Sequence, residues 1–169
     1  FLFMHNGRIG GYAQIRRRLE DMIADEFYAL RRGTTDSELF FLLALSNGLM
    51  DDSFVAITRT IRQVRREMAR HNIEEPFRMT AAFSDGERML ALRTSSDGKS
   101  PSLFHATGRE VTTEHHRLRL SPGRGTVMVA SEPLDEEEFW QEVPEDHAVE
   151  TRHGEARMHP LPLELVGAD

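Results

Sequence analysis

The sequence predicts an α+β protein, on three observations. Apolar residues recur at helical spacing before Pro76, whereas after it they fall in short apolar runs bounded by turn residues. The two patterns are segregated, helices early and strands late, without the regular alternation that builds a doubly wound parallel sheet. No internal repeat or linker divides the 169 residues, which read as one domain, 1–169, long enough to bury a core.

The chain opens on Phe1-Leu2-Phe3-Met4-His5-Asn6-Gly7. Residues 2–4 are expected as a buried strand, and Gly10 and Gly11 mark a break between that strand and the first helix. From Tyr12 to Arg32 the apolar set Ile15, Leu19, Met22, Ile23, Phe27 and Leu30 predicts one helix, with Gly33 as its C-cap glycine. Thr35 and Glu38 form a capping-box pair ahead of an apolar run from Leu39 to Leu45, and Asn47-Gly48 ends that helix. Apolar nearly all round, it should be buried. A third helix spans about 52–71. Its inner stripe is Val55, Ile57, Ile61, Val64 and Met68, and its arginines 59, 62, 65, 66 and 70 lie mostly outside that stripe as a solvated face.

Beyond Pro76 the run 77–83, the turn Ser84-Asp85-Gly86 and the run 88–93 predict a hairpin. Short strands are expected at 102–107 and 117–120, a stronger one at 126–130, and a turn at Gly123-Arg124-Gly125. A short helix is expected at 135–141, carrying Trp140, and two last strands, 148–152 and 156–159, flank His153-Gly154.

Composition excludes several classes of function. Charged residues are 29% of the chain in interspersed signs and the net charge is -7, which argues against a nucleic-acid footprint. No apolar run approaches a membrane span, and no signal-peptide pattern opens the chain. With no cysteine there is neither a disulfide framework nor a cysteine zinc site, and a cytoplasmic protein fits. His115 and His116 are neighbours that a strand would point to opposite faces, and no histidine spacing matches a metal site. No cofactor is expected.

Two places invite a chemical reading. An Asn-Gly pair is first a turn dipeptide. At the end of a strand, however, the Asn6 side-chain amide and the Gly7 N–H can aim two donors at one point, as an oxyanion hole requires. Asp36 reads either as an acid favoured in the first turn of its helix or as a carboxylate presented to a cationic group. A hydrophobic strand at the terminus with no Met before it reads as a cut chain. The expectation is that the protein continues upstream or that another chain completes it, with N-terminal processing as the alternative. The edge beside residues 2–4 is then a place where a missing segment or a second copy pairs.

Taken together, several segments resemble the class II glutamine amidotransferases, which are N-terminal-nucleophile hydrolases. They are Phe3-Met4-His5-Asn6-Gly7, Thr35-Asp36-Ser37-Glu38, Ser84-Asp85-Gly86 with Ala91-Leu92-Arg93, Ala130-Ser131-Glu132-Pro133-Leu134, and Trp140 with Val143-Pro144. The order is that of the family and spans nearly the whole chain. The resemblance is strongest to the stand-alone branch of ergothioneine-pathway amidases and glutathione-degradation amidohydrolases. It implies a four-layer αββα sandwich and hydrolysis of the side-chain amide of glutamine or another γ-glutamyl compound. Asn6 and Gly7 would be the oxyanion hole, and Asp36 would hold the α-amino group by a charge-assisted hydrogen bond. Ser131 and Glu132 carry no assigned role. The family's nucleophile is an N-terminal cysteine and its carboxylate-binding arginine precedes the Asn-Gly strand; both are expected upstream of Phe1. The alternative is a catalytically inactive truncated or degenerate module that binds a ligand or serves structure alone. The sequence upstream of Phe1 discriminates the two.

Overall fold

The computed structural model describes residues 1–114, 117–134 and 139–164, with the backbone path alone over 109–124. The elements run β1 (Leu2–Arg8), α1 (Tyr12–Glu20), α2 (Asp25–Tyr28), α3 (Asp36–Ser46), α4 (Ser53–Arg70), β2 (Arg78–Ser84), β3 (Arg88–Ser95), β4 (Phe104–Glu114), β5 (Arg117–Ala130), β6 (Gln141–Glu142), β7 (His147–Arg152) and β8 (Glu155–Pro160). Helices early and strands late give the α+β class expected. The elements separate into two compact units. One comprises Phe1–Asn6 with Met79–Pro160, the other Gly7–Arg78 with the segment from Leu161.

The first unit holds two sheets, ordered β1-β2-β3-β7-β8 and β5-β4-β6. Strand β3 pairs antiparallel with β7, setting Ala91 opposite Val149, and β7 pairs antiparallel with β8. In the second sheet β4 pairs antiparallel with both β5 and β6. The sheets meet through a cluster of Ala91 and Val149 from one with Leu103 and Val143 beside the other, flanked by Ala82, Val129 and Ala156. The predicted short strands at 102–107 and 117–120 are parts of one long hairpin. Gly123 to Gly125, expected as a turn, lie within β5 instead. A register shift between Thr107 and Arg109 lets the strand continue past them.

Strand β1 forms at the expected place but is not buried: Leu2 is 75% exposed and Met4 70%. It is the outermost strand of its sheet, and among the described residues no strand pairs with its other flank. Period-2 alternation turns Phe3 and His5 to the covered face, where Phe3 stacks on Phe83 at 4.7 Å between ring centroids. The expected helix at 135–141 falls mainly outside the described residues; its last position, Gln141, is strand.

Arg93, where the returning hairpin strand ends, anchors the stretch that carries Val143-Pro144. Its guanidinium donates to Glu142 at 2.6 Å and to the carbonyls of Val143 and Ser100, and pairs with Glu145. Ser95 and Ser100 each donate to Glu145 at 2.6 Å. Burial pushes the Glu145 carboxyl up, but the Ser100 and Ser95 hydrogen bonds and the Arg93 charge outweigh it and hold it below its ordinary value.

In the second unit the single helix expected over Tyr12 to Arg32 is two. After Glu20 the chain turns, and Ala24 becomes extended with its N–H donating to the Ser46 hydroxyl at 3.0 Å. That turn carries Ile23 into the core beside Ile15 and Leu19. Gly33 is correspondingly not a helix cap. Its N–H and that of Arg32 donate to the Glu38 carboxylate at 2.7 and 2.8 Å. Glu38 thus turns away from the Thr35 N–H, so half of the capping box forms: Thr35 Oγ1 accepts the Glu38 N–H at 3.2 Å.

Helix α3 buries Leu39, Phe40, Leu42, Leu43 and Ala44. It closes at Asn47-Gly48 through bonds from the Gly48 N–H to the Leu45 carbonyl and from the Leu49 N–H to the Ala44 carbonyl. Asp52 caps α4 by accepting the Val55 N–H. Ile57, Ile61, Val64 and Met68 are buried as expected, whereas Val55, in the first turn, is 47% exposed. Gly10 lies so close to the Glu75 backbone that a Cβ there would meet its carbonyl oxygen at 2.2 Å. Among the described residues no helix is long and apolar enough to cross a membrane.

Candidate active site

In the two-sheet unit, an open groove of about 210 Å³ is lined by residues 4–6 of β1, 80–82 of β2, Leu103, and 129–131 at the end of β5. Alternation explains its position. Met79, Ala81 and Phe83 are buried with Phe3 against one face of the sheet, while Ala82, out of phase with them, packs toward the other sheet with Val129 and Leu103. Met4 and Asn6, in the phase of β1 opposite to Phe3, border the place where the inter-sheet layer opens to solvent. The walls are mainly apolar, and the polar residues among those described in the lining are His5, Asn6, Thr80 and Ser131.

The rim groups are not equivalent. Thr80 is committed, donating to the Pro101 carbonyl at 2.6 Å. The Ser131 carbonyl is held by the Ser102 hydroxyl at 2.8 Å. Asn6 is exposed, and its amide has no hydrogen-bond partner among the described residues. Gly7 follows at φ 151°, a backbone setting that glycine takes without the steric cost a Cβ incurs. The first sequence candidate therefore opens on a groove, and the structure brings it beside Ser131, to which sequence reasoning gave no role. No local pattern could have linked residues 4–6, 80–82 and 129–131.

Asp36 belongs to the helical unit. It is the first residue of α3, immediately after the Thr35 cap, so the capping role lies with Thr35 and not with Asp36. Its Oδ2 accepts the Ile9 N–H at 2.8 Å across 27 residues of sequence. Among the described residues no cationic side chain pairs with it and Oδ1 has no hydrogen-bond partner. One carboxylate oxygen ties down the chain and the other stays open.

The backbone just ahead of Asp36 is braced. Tyr12 donates its hydroxyl to the Thr35 carbonyl at 3.3 Å. Buried Glu20 takes Arg16 and Arg31, each at 2.6 Å, and Arg31 donates onward to the Gly33 carbonyl. Burial raises the Tyr12 hydroxyl above its ordinary value against the opposing pull of Arg16 and Arg31. The local signal of this brace is the Arg16–Glu20 spacing of four, which sets the two side chains on one face of the helix. Among the described residues no cluster of metal-ligating side chains forms; His115 and His116 lie outside them.

Comparison with known proteins agrees with this architecture. The family model for class II glutamine amidotransferases matches residues 1–163. A probable glutamine amidotransferase of Saccharomyces cerevisiae, DUG3, is 30% identical over 184 residues, covering 94% of this chain and 52% of its own length. The solved structure of a glutamine aminotransferase class-II domain protein from Silicibacter pomeroyi superposes with a TM-score of 0.74 at 37% identity, covering 94% of this chain and 66% of that one. A predicted glutamine amidotransferase from Pseudomonas aeruginosa shares the fold, with a TM-score of 0.59 at 18% identity and coverage of 91% and 58%. So does the glutamine phosphoribosylpyrophosphate amidotransferase of B. subtilis, with a TM-score of 0.55 at 12% identity and coverage of 96% and 29%. The chain belongs to the class II glutamine amidotransferases, and its fold is that of their N-terminal-nucleophile type. It spans about half the length of the curated relative it matches.

Proposed function

We propose that this chain is the larger part of a glutaminase domain in a stand-alone amidohydrolase. Its substrate is glutamine or another γ-glutamyl amide. The reading rests on one observation above the others: the Asn6 amide, unengaged among the described residues, stands on a groove directly before a glycine at φ 151°, a setting other residues rarely take.

The reaction proceeds as acyl transfer. A cysteine thiolate contributed from outside residues 1–169 attacks the side-chain amide carbon, and the negative charge that develops on the carbonyl oxygen is met by the Asn6 side-chain N–H and the Gly7 backbone N–H. Donors fixed in place before the charge appears need no reorganisation, and each is worth roughly 100-fold or more in rate. The α-amino group of that cysteine, which took up the thiol proton, returns it to the leaving nitrogen, so the tetrahedral intermediate expels ammonia (or the substituted amine) and leaves a thioester, which water then cleaves to the γ-carboxylate and the free thiol. Asp36 receives the substrate ammonium on its open oxygen, a charge-assisted contact stronger than a neutral one.

The test is release of ammonia from glutamine, and of the corresponding amine from a series of γ-glutamyl amides, by the full-length protein, with the carboxylate product quantified in step. Stoichiometric release from at least one member supports the reading. A full-length protein that carries the cysteine yet turns over none of them contradicts it and favours the inactive module.

A further inference from the structure

A second cleft, of about 530 Å³, lies in the helical unit along the exposed side of α4. Among the described residues its charged lining is entirely basic: Arg59, Arg62 and Arg66 project from α4, with Phe54 and Pro162 supplying apolar wall. The three arginines stand at spacings of three and four, so their guanidiniums lie along about 10 Å of one helix face. Like charges at these spacings repel. None of the three has an acidic residue three or four positions away to offset that repulsion. Among the described residues Arg62 and Arg66 pair with no carboxylate, and Arg59 makes a single long contact, 3.4 Å, to the Asn47 carbonyl. The chain as a whole is acidic, with net charge -7, so an unrelieved basic strip stands out against its background.

A second observation comes from beneath the strip. Thr58 is only 4% exposed, lines the cleft, and its hydroxyl has no hydrogen-bond partner among the described residues. The Nε of Arg62 is likewise buried without an acceptor. Most threonines inside helices return their hydroxyl to the carbonyl one turn back, as Thr60 does to Ala56 at 2.8 Å. A buried polar group left unmade is costly, and two side by side under a cationic cleft call for an acceptor. An oxyanion seated there draws the Arg62 fork outward so that Nε and a terminal nitrogen donate together. A χ1 turn then brings the Thr58 hydroxyl into the same shell.

We propose that this cleft is a binding site for a small molecule carrying two or more oxyanion groups, phosphate or carboxylate. Its volume is that of a small-molecule pocket rather than of an extended macromolecular surface. Phe54 and Pro162 offer an apolar wall to the body of the ligand. This site is separate in its residues from Asn6, Gly7 and Asp36 and stands independently of the glutaminase reading.

The experiment is isothermal titration of the full-length protein with tripolyphosphate and with citrate, at about 50 mM and about 250 mM salt. The expected result is binding of at least one of them with a dissociation constant near or below about 100 µM, weaker at high salt. The tighter of the two names the ligand's chemistry. Arg62→Gln combined with Arg66→Gln weakens it by about tenfold or more. Arg17→Gln combined with Arg18→Gln, which removes the same charge from the exposed side of α1, changes it by less than about twofold. Arg66→Gln alone, at an exposed position, keeps the test valid if the Arg62 variant does not fold, and Thr58→Val weakens binding by severalfold without altering charge. The proposal is overturned if neither anion binds at about 1 mM, or if the α1 pair loses as much affinity as the α4 pair.

Discussion

Replacing Asp36 with asparagine separates two jobs that one carboxylate performs. Oδ2 accepts the Ile9 N–H at 2.8 Å, holding the residue just past β1. Oδ1, without a hydrogen-bond partner among the described residues, is the oxygen we assign to the substrate ammonium. Asparagine keeps an acceptor for Ile9 and the shape of the side chain but discards the charge. A hydrogen bond to an ionised group contributes about 1.5–3 kcal/mol and a neutral one about 0.5–1.5 kcal/mol, so the stability lost in Asp36→Asn is about 1 kcal/mol. The substrate loses its ion pair entirely, which at about 1.4–3 kcal/mol raises KM by roughly 10- to 100-fold. In Asp36→Ala both effects appear, with a stability loss of about 2–3 kcal/mol because the Ile9 N–H is left unpaired. The assay pairs chemical denaturation with steady-state ammonia release from glutamine by the full-length protein. An Asp36→Asn variant with unchanged KM and lowered stability refutes the assignment and makes Asp36 a purely structural residue.

Two further predictions concern the fold. Gly10→Ala places a Cβ against the Glu75 backbone, which cannot yield as a side-chain tip can, and costs at least about 1–3 kcal/mol in urea denaturation; a variant as stable as the parent contradicts that close approach. His105 is buried, neither ring nitrogen has a partner among the described residues, and desolvation holds its pKa below the ordinary 6.5. The unfolded chain therefore takes up this proton first. The stability tied to His105 is complete above the unfolded value and is lost as pH falls from there toward the lower folded value. His105→Leu flattens that segment of the stability–pH curve; an unchanged slope between about pH 7 and pH 5.5 contradicts the buried neutral ring.

What could be read from the sequence was mostly local chemistry. The Thr35 cap, the Asp85-Gly86 hairpin and the close of α3 at Gly48 depend on residues a few positions apart, and each formed where expected. The long helix failed because Ala24 finds its partner in Ser46, 22 residues away, and no periodicity carries that information. Leu2 and Met4 were expected inside because they are apolar. Their exposure arises from β1 being an outermost strand, a property of sheet order rather than of composition. The β4–β5 hairpin was read as fragments because Pro122 and the glycines around it interrupt the apolar pattern, whereas the register shift near Thr107 allows the ladder to continue.

The candidate site divides the same way. Asn6, Gly7 and Asp36 were found through the order of family landmarks, not through any spacing that marks a site by itself. Asn-Gly alone signalled a turn. The structure instead places Asn6 in strand β1 on a groove. Ser131 and Thr80 reach that groove from segments 125 and 74 residues away, and only the assembled sheets reveal them. Arg59, Arg62 and Arg66 were read as a solvated face because nothing in the sequence shows that Thr58 lies buried and unpaired beneath them.

The central claim is that Asn6 supplies an oxyanion donor. The direct measurement is kcat for glutamine hydrolysis by the full-length Asn6→Ala enzyme beside its parent, with a melting curve to show that the fold is kept. The account predicts a fall in kcat of about 100-fold or more with KM nearly unchanged, since the donor acts on charge that exists only in the transition state. A variant that folds and turns over at the parental rate contradicts it.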